Sequence, residues 1–392
     1  MAEKVTAERL RAWWAHRQGL DGSLRGAQPE EVLAATGWAR SVGGSGPYLG
    51  LYARCGAGRE AVDAAVAALA VHELPSARGC TYVLPAGDFA LGLAVGAGAP
   101  EGDIKAAAKH LGVTAAEVDA LCAAVVGALG ETPMLPAAIR TALGDEVRAL
   151  GEAGKKRGLS TTLPLALGRL QARGEIRRVP VNGRLDQQRY GYVRWGLDLG
   201  LLGAEEAQAE LARRYFAWAA PASLAHFRWF SGFTAAVAKA AVAGLELVDV
   251  GGGLLLPGEW EEEFRAYVRP KKPRYALLAG IDGIHLLHRD LGRLLDAADG
   301  ERTFLKRSLG GLADAPAHMI VDRGRLVGLW EYDVEAEEIV WQAFVEPDAA
   351  LRKAVAETAA FVRDELGDAR SFSLDSPKSR APRVAELRVG MR

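Results

Sequence analysis

The sequence predicts an α+β fold: three helix-then-hairpin modules in tandem, followed by a β-rich C-terminal domain. Three observations carry this prediction. Runs with helical periodicity are punctuated by Ser, Thr, Pro and Gly at start and stop positions. Each group of helices ends in two short apolar segments around a glycine-containing turn. Beyond Pro257 the pattern changes to strand-like runs. Helix, short helix, turn, helix and hairpin is the order of a winged helix-turn-helix, which lays its third helix in a groove of DNA. Residues 204–257 show it most clearly. Leu211, Tyr215 and Trp218 share one helical face, Ser223 and Thr234 start two further helices, and Gly251-Gly252-Gly253 turns a hairpin.

The first module is expected over residues 1–95. Thr6 caps a helix to about residue 18, with Leu10, Trp13 and Trp14 towards the core. Pro29 starts a short helix that Gly37 ends, and residues 41–47 form a loop by composition. Helices at residues 48–54 and 59–70 precede a hairpin that turns at Ala77-Arg78-Gly79. The second module, residues 96–203, opens with connecting helices and a capping box at Thr114. Helices follow at residues 135–143 and 163–172, then strands at 176–181 and 189–195 around the hairpin signal Asn182-Gly183. The third module is residues 204–258. The C-terminal domain, 259–392, is expected to hold a short acidic helix and strands at 275–278, 284–288, 318–322, 325–331 and 338–344. A helix at 349–366 and a last strand at 372–374 complete it.

Composition narrows the function. An apolar content of 49% with 25% charged residues is that of an ordinary soluble globular protein. A net charge of −1 excludes a uniformly basic DNA-coating protein. Cys55, Cys80 and Cys122 lack C-x-x-C spacing, so neither a disulfide framework nor a zinc site is indicated. The N-terminal residues lack an apolar leader core, and no uncharged apolar run reaches 18 residues, so a monomeric cytoplasmic protein off the membrane is expected. Charge is nevertheless concentrated. Between Lys155 and Arg194 ten cations face two anions, a local surplus of +8. This segment coincides with the second module and suits phosphate contact. Lys155, Lys156, Arg157, Arg169, Arg184, Gln187 and Arg189 are its candidate DNA contacts. Ser160, Thr161 and Thr162 add hydroxyls and amides at a helix start. Arg40, Arg54 and Arg228 are further candidates in the other modules. The third helix of the third module, TAAVAKAAVAG, has few side chains able to read base edges.

Motifs for nucleotide binding, metalloprotease or hydrolase chemistry are absent from the sequence. His285 and His288 would face opposite ways on a strand, which disfavours joint metal ligation. No metal or cofactor is expected. Asp282 is a carboxylate at an expected strand end, where it is either a loop-presented catalytic group or a turn residue bonded to its own backbone.

The segments LARRYFAWAAPASLAHFRWFSGF, AAVAGLELVDVGG, LLAGIDGIHLLHRD and MIVDRGRLVGLWEYD resemble the bacterial winged-helix DNA-binding family of the crosslink-repair DNA glycosylases AlkZ and AlkX (also called YcaQ). The resemblance implies three tandem winged helices with a C-terminal β domain, and excision of N7-alkylated or crosslinked guanine from duplex DNA without metal or cofactor. The family's catalytic signature is Gln-apolar-Gln or Gln-apolar-Asp after Gly-Leu. Here Gly37-Trp38 is followed by Ala39-Arg40-Ser41, so both polar positions are altered. The expectation is therefore a duplex-binding relative with weak or no base excision. The alternative is an active glycosylase with divergent catalytic groups, for which Ser41, Tyr48 and Asp282 are the candidates.

Overall fold

The computed structural model describes residues 5–195, 200 and 202–390. Helices and strands are mixed, and the helix caps lie where the sequence placed them. Thr6 accepts the Arg9 amide at the start of α1 (Ala7–Arg17). Pro29 opens α2 (Pro29–Thr36), and Gly37 stops it at φ +102°, a conformation that side chains rarely adopt. A two-residue strand follows just before the expected loop, β1 (Ala39–Arg40). After α3 (Gly46–Cys55) and α4 (Arg59–Ala67) come β2 (Val71–Pro75) and β3 (Thr81–Pro85). The strands form an antiparallel sheet in the order β1-β3-β2, with Ala39 opposite Val83 and Arg40 opposite Tyr82.

Next come α5 (Phe89–Gly96), α6 (Ala99–Leu111) and α7 (Ala115–Ala128), the last begun by a Thr114–Glu117 capping box. Then α8 (Pro136–Leu143), α9 (Gly151–Lys155) and α10 (Leu163–Ala172) lead to the hairpin of β4 (Ile176–Pro180) and β5 (Tyr190–Arg194). These elements close over a core of their own, including Ile104, Val118, Leu121, Val125, Ile139, Leu170 and Ile176.

A third group follows: α11 (Ala204–Ala219), α12 (Leu224–Ser231), α13 (Ala235–Val242), β6 (Leu247–Asp249) and β7 (Leu255–Pro257). Ser223 and Thr234 cap α12 and α13 through their hydroxyls. Helix α11 is a hub because its aromatic face is buried from several sides. The Tyr215 hydroxyl donates to the Leu287 carbonyl at 2.7 Å, and the Trp218 indole donates to the Ala34 carbonyl at 2.9 Å. The Trp13 and Trp14 indoles donate to Ala220 and Pro221 at 3.0 and 3.1 Å. The chain's first and third helix groups therefore share one core with part of the C-terminal region.

The C-terminal region holds α14 (Glu261–Ala266), β8 (Tyr275–Leu278), α15 (Gly283–Leu286), α16 (Leu291–Leu294), a small β9 (Thr303–Phe304)–β10 (Arg307–Ser308) pair, β11 (His318–Asp322), β12 (Arg325–Asp333), β13 (Glu338–Ala343), α17 (Ala349–Phe361) and α18 (Pro377–Gly390). An antiparallel sheet runs β13-β12-β11-β8. Two expectations are corrected. Residues 284–288 are not a strand: Asp282 accepts the Ile284 amide at 3.0 Å and starts α15 instead. Residues 372–374 are not a strand either. They form a closed turn, in which the Asp375 amide donates to the Phe372 carbonyl at 3.0 Å. Helix α18 after it escaped the sequence reading because Pro382 lies inside it and only Arg380 and Leu387 are buried.

Candidate nucleic-acid interface

Strand β1 brings Ala39 and Arg40, with Ser41 after them, to the edge of the β2–β3 hairpin. The Ser41 amide donates to the Thr81 carbonyl at 3.0 Å, which extends the pairing by one residue. Ala39 contributes only a methyl group. Arg40 donates to the Thr81 carbonyl at 3.0 Å, with its guanidinium 5.4 Å from the Tyr82 ring. The Ser41 side chain turns inward and is 3% exposed, donating its hydroxyl to Glu73 of β2. Glu73 is itself buried, and its Oε2 has no hydrogen-bond partner among the described residues. From β4, Arg178 approaches Glu73 at 3.4 Å and lies 4.4 Å over the Tyr190 ring. Burial, and then the Glu73 carboxylate, raise the Tyr190 phenol well above its ordinary range. Beside Glu73, burial and then Arg178 and Arg177 push the His72 imidazole down to about 3, so it is neutral near pH 7. Ser41 thus opens onto a Ser–Glu–Arg–Tyr chain that ties the first hairpin to the second. Glu73 and Arg178 escaped the sequence reading of this site. Only the strand register, which is invisible in the letters, places them behind Ser41.

A cavity of about 30 Å³ lies on the other side of β1, lined by Gln18, Ala39, Arg40, Arg54 and Asp282 among others. It has room for a water molecule and none for a purine. Most of its polar wall groups are engaged, although the buried Arg54 Nε has no hydrogen-bond partner among the described residues. Arg54 forms a bidentate pair with Asp282, both bonds 2.8 Å, and also donates to Gln18 at 3.0 Å. Gln18 in turn donates to the carbonyls of Thr36 and Trp218 at 2.7 and 3.0 Å. Arg54 and Asp282 were expected at DNA and in catalysis. Their side chains are 5% and 4% exposed and paired with each other, so they belong to the framework of the fold. Tyr48, the other catalytic candidate, is also fully buried. Its hydroxyl donates to Asp63 at 2.5 Å and accepts the Leu185 amide at 2.9 Å.

The remaining candidates divide by burial. Arg169 is buried between Glu101 and Asp119, at 2.9 and 2.8 Å, and the Thr162 hydroxyl is buried. Arg184 pairs with Asp186 (Nε to Oδ1, 2.9 Å) and donates to the Leu366 carbonyl at 2.9 Å. These three lack a free face for a phosphate, which corrects the expectation drawn from charge alone. Lys155 pairs with Glu152 at 2.8 Å in the open, an arrangement that a phosphate can replace. Lys156, Arg157, Ser160, Arg189 and Arg228 are exposed, and Thr161 and Gln187 are half-buried. Lys156, Arg157, Arg189 and Arg228 have no ion pair among the described residues. Thr161 shares a surface groove with Arg140, Gln171 and Tyr192. The structure therefore keeps a smaller cationic surface than the count of +8 implied. Among the described residues no group of three or more His, Cys, Asp or Glu is placed to hold a metal ion, and no helix is long and apolar enough to cross a membrane.

A family model described as "DNA glycosylase AlkZ-like" matches residues 39–364. Among solved structures, the DNA glycosylase AlkZ of Streptomyces sahachiroi is similar in fold, with a TM-score of 0.71 at 22% identity, covering 94% of this chain and 99% of that one. A search of curated proteins finds no match.

Proposed function

The chain belongs to the AlkZ-like family of DNA glycosylases, and from that premise we propose that it binds duplex DNA and excises N7-alkylguanine weakly or not at all. The proposal reads the three helix–hairpin groups, residues 1–95, 96–203 and 204–258, as winged helix-turn-helix modules ahead of a β-rich domain. It assigns phosphate contact to Lys155, Lys156, Arg157, Ser160, Thr161, Arg189, Arg228 and Arg40. The protein acts as a cytoplasmic monomer on this reading.

One observation carries the loss of excision: Ala39 has no polar atom to offer, and the hydroxyl of Ser41 is buried and donated to Glu73. An N7-alkylguanine is already cationic and departs readily. The catalyst has mainly to position a water and stabilise an oxocarbenium ion. Ala39 does neither, and the charge of Arg40 opposes a developing cation. The test is base release from an N7-methylguanine duplex, beside binding to the same duplex. Salt-sensitive binding with release at the spontaneous rate is expected. Release as fast as that of a relative with both polar signature residues overturns the proposal.

A second reading, an active enzyme with divergent groups, is favoured by the buried and unpartnered Oε2 of Glu73. A carboxylate there, acting through Ser41, could hold the attacking water. It requires that release be measurable and be abolished by Glu73→Gln and by Ser41→Ala.

A further inference from the structure

The turn at residues 371–376 is seated against the loop that follows the signature strand. The Ser373 amide donates to the Val42 carbonyl at 3.0 Å, and the Ser45 amide to the Arg370 carbonyl at 2.9 Å. A Cβ on Gly44 would lie 2.4 Å from the Ser371 carbonyl oxygen, so this approach requires glycine. The turn is also tied down from within. Asp375, 1% exposed, accepts the Ser371 amide at 3.0 Å and pairs with Arg383 at 2.8 Å. Arg383 holds the buried Glu331 as well.

What this fixed turn displays is apolar. Leu374 is 82% exposed and Phe372 43% exposed. Holding both in water forgoes the gain of burying them, and a turn anchored by a buried ion-pair network cannot fold them away. Exposed cations lie on the adjoining elements. Lys378 lies in the first turn of α18, and Arg189 stands on the β4–β5 hairpin, whose Gln188 touches Gly43. An apolar point with cations on the adjoining elements, seated against the loop after β1, is complementary to stacked bases between phosphate rails.

We infer that Leu374, supported by Phe372, is a wedge that enters the base stack of duplex DNA lying along β1. The inference rests on the DNA-binding reading above. Leucine and phenylalanine between base steps unstack and kink a duplex, and an unstacked base is what base-directed chemistry or lesion sensing must reach.

The experiment uses the full chain and a duplex with a central 2-aminopurine, whose fluorescence rises on unstacking, with affinity followed by anisotropy in parallel. The wild-type protein should raise the fluorescence about twofold or more at saturation, as expected when one base step opens. A Leu374→Ala, Phe372→Ala variant should keep its melting temperature, because both side chains are exposed. It should bind with the same salt dependence, within about tenfold in affinity, and lose the fluorescence rise. Duplex binding without a rise in the wild-type protein, or a rise that survives in the variant, overturns the wedge and leaves the binding reading intact. Absence of duplex binding at low salt removes the binding reading and the wedge with it. A wild-type dimer that the double variant dissolves, with 2-aminopurine unaffected, assigns the patch to a second copy and also overturns the wedge.

Discussion

Arg54 and Asp282 lie 228 positions apart in sequence and meet in a buried site, where each is the other's charged partner. Removing one partner strands the other. For Asp282→Ala a loss of about 3–5 kcal/mol is expected, the usual cost of breaking a buried pair. Replacing both by apolar residues, Arg54→Met with Asp282→Leu, should recover most of it. Urea unfolding of the three variants decides. If Asp282→Ala unfolds at the wild-type midpoint, the pair is not a buried determinant of stability. Charge type alone made these two residues resemble surface or catalytic groups, since nothing local in either segment announces a partner so distant. Glu73 was missed for a related reason. Strand β2 is covered on both faces, so its alternation does not separate inward from outward residues. His72 and Glu73 are adjacent, and both are buried.

The hairpin β4–β5 separates two arginines that the sequence could not tell apart. Asn182-Gly183 correctly announced the turn, yet the loop beyond it folds back onto the body. Leu185 is fully buried, and Arg184 is held by Asp186 and the Leu366 carbonyl. Arg189 remains in solvent. If duplex DNA is bound as proposed, Arg189→Ala should make the slope of log affinity against log salt shallower by about 0.9, the contribution of one phosphate. Arg184→Ala should leave the slope unchanged and lower the unfolding midpoint instead. Equal effects of both on the slope would mean that the docked hairpin loop opens on DNA. Capped helices and glycine-turned hairpins were legible because their signals are local: Thr6, Thr114, Ser223 and Thr234 all accept the amide expected of a cap. Strand β1 was not, because two residues carry no period. Helix α15 was not, because its four residues read equally well as a short buried strand.

Over the whole molecule, four buried histidines set the response to acid. Burial is the leading cause in each. It pushes His72 and His288 down to about 3, and His285 and His318 down to about 4. The hydrogen bonds agree. His318 donates from one ring nitrogen to the Ala369 carbonyl and accepts the Gly280 amide with the other, which fixes a neutral ring. His285 has no partner at either nitrogen among the described residues, so a charge there would be unsupported. The unfolded chain takes up these protons near pH 6.5 while the folded chain refuses them until far lower. Their stability is therefore present above about pH 6.5 and is lost as pH falls towards the folded values. Between pH 6.5 and 5 each histidine costs roughly 1–2 kcal/mol. Glu331 acts in the opposite sense. Burial pushes it up to about 7, so the folded state takes its proton first and gains over the same interval, offsetting about one histidine. The net expectation is a loss on the order of several kcal/mol, a large part of the roughly 5–15 kcal/mol that holds a typical protein folded. Urea titrations at pH 6.5 and 5.0 measure it, and stability that is flat or rising towards pH 5 rules it out. His285→Phe identifies the source, because removing one of the four titrating rings should reduce the pH dependence by roughly 1–2 kcal/mol over this interval.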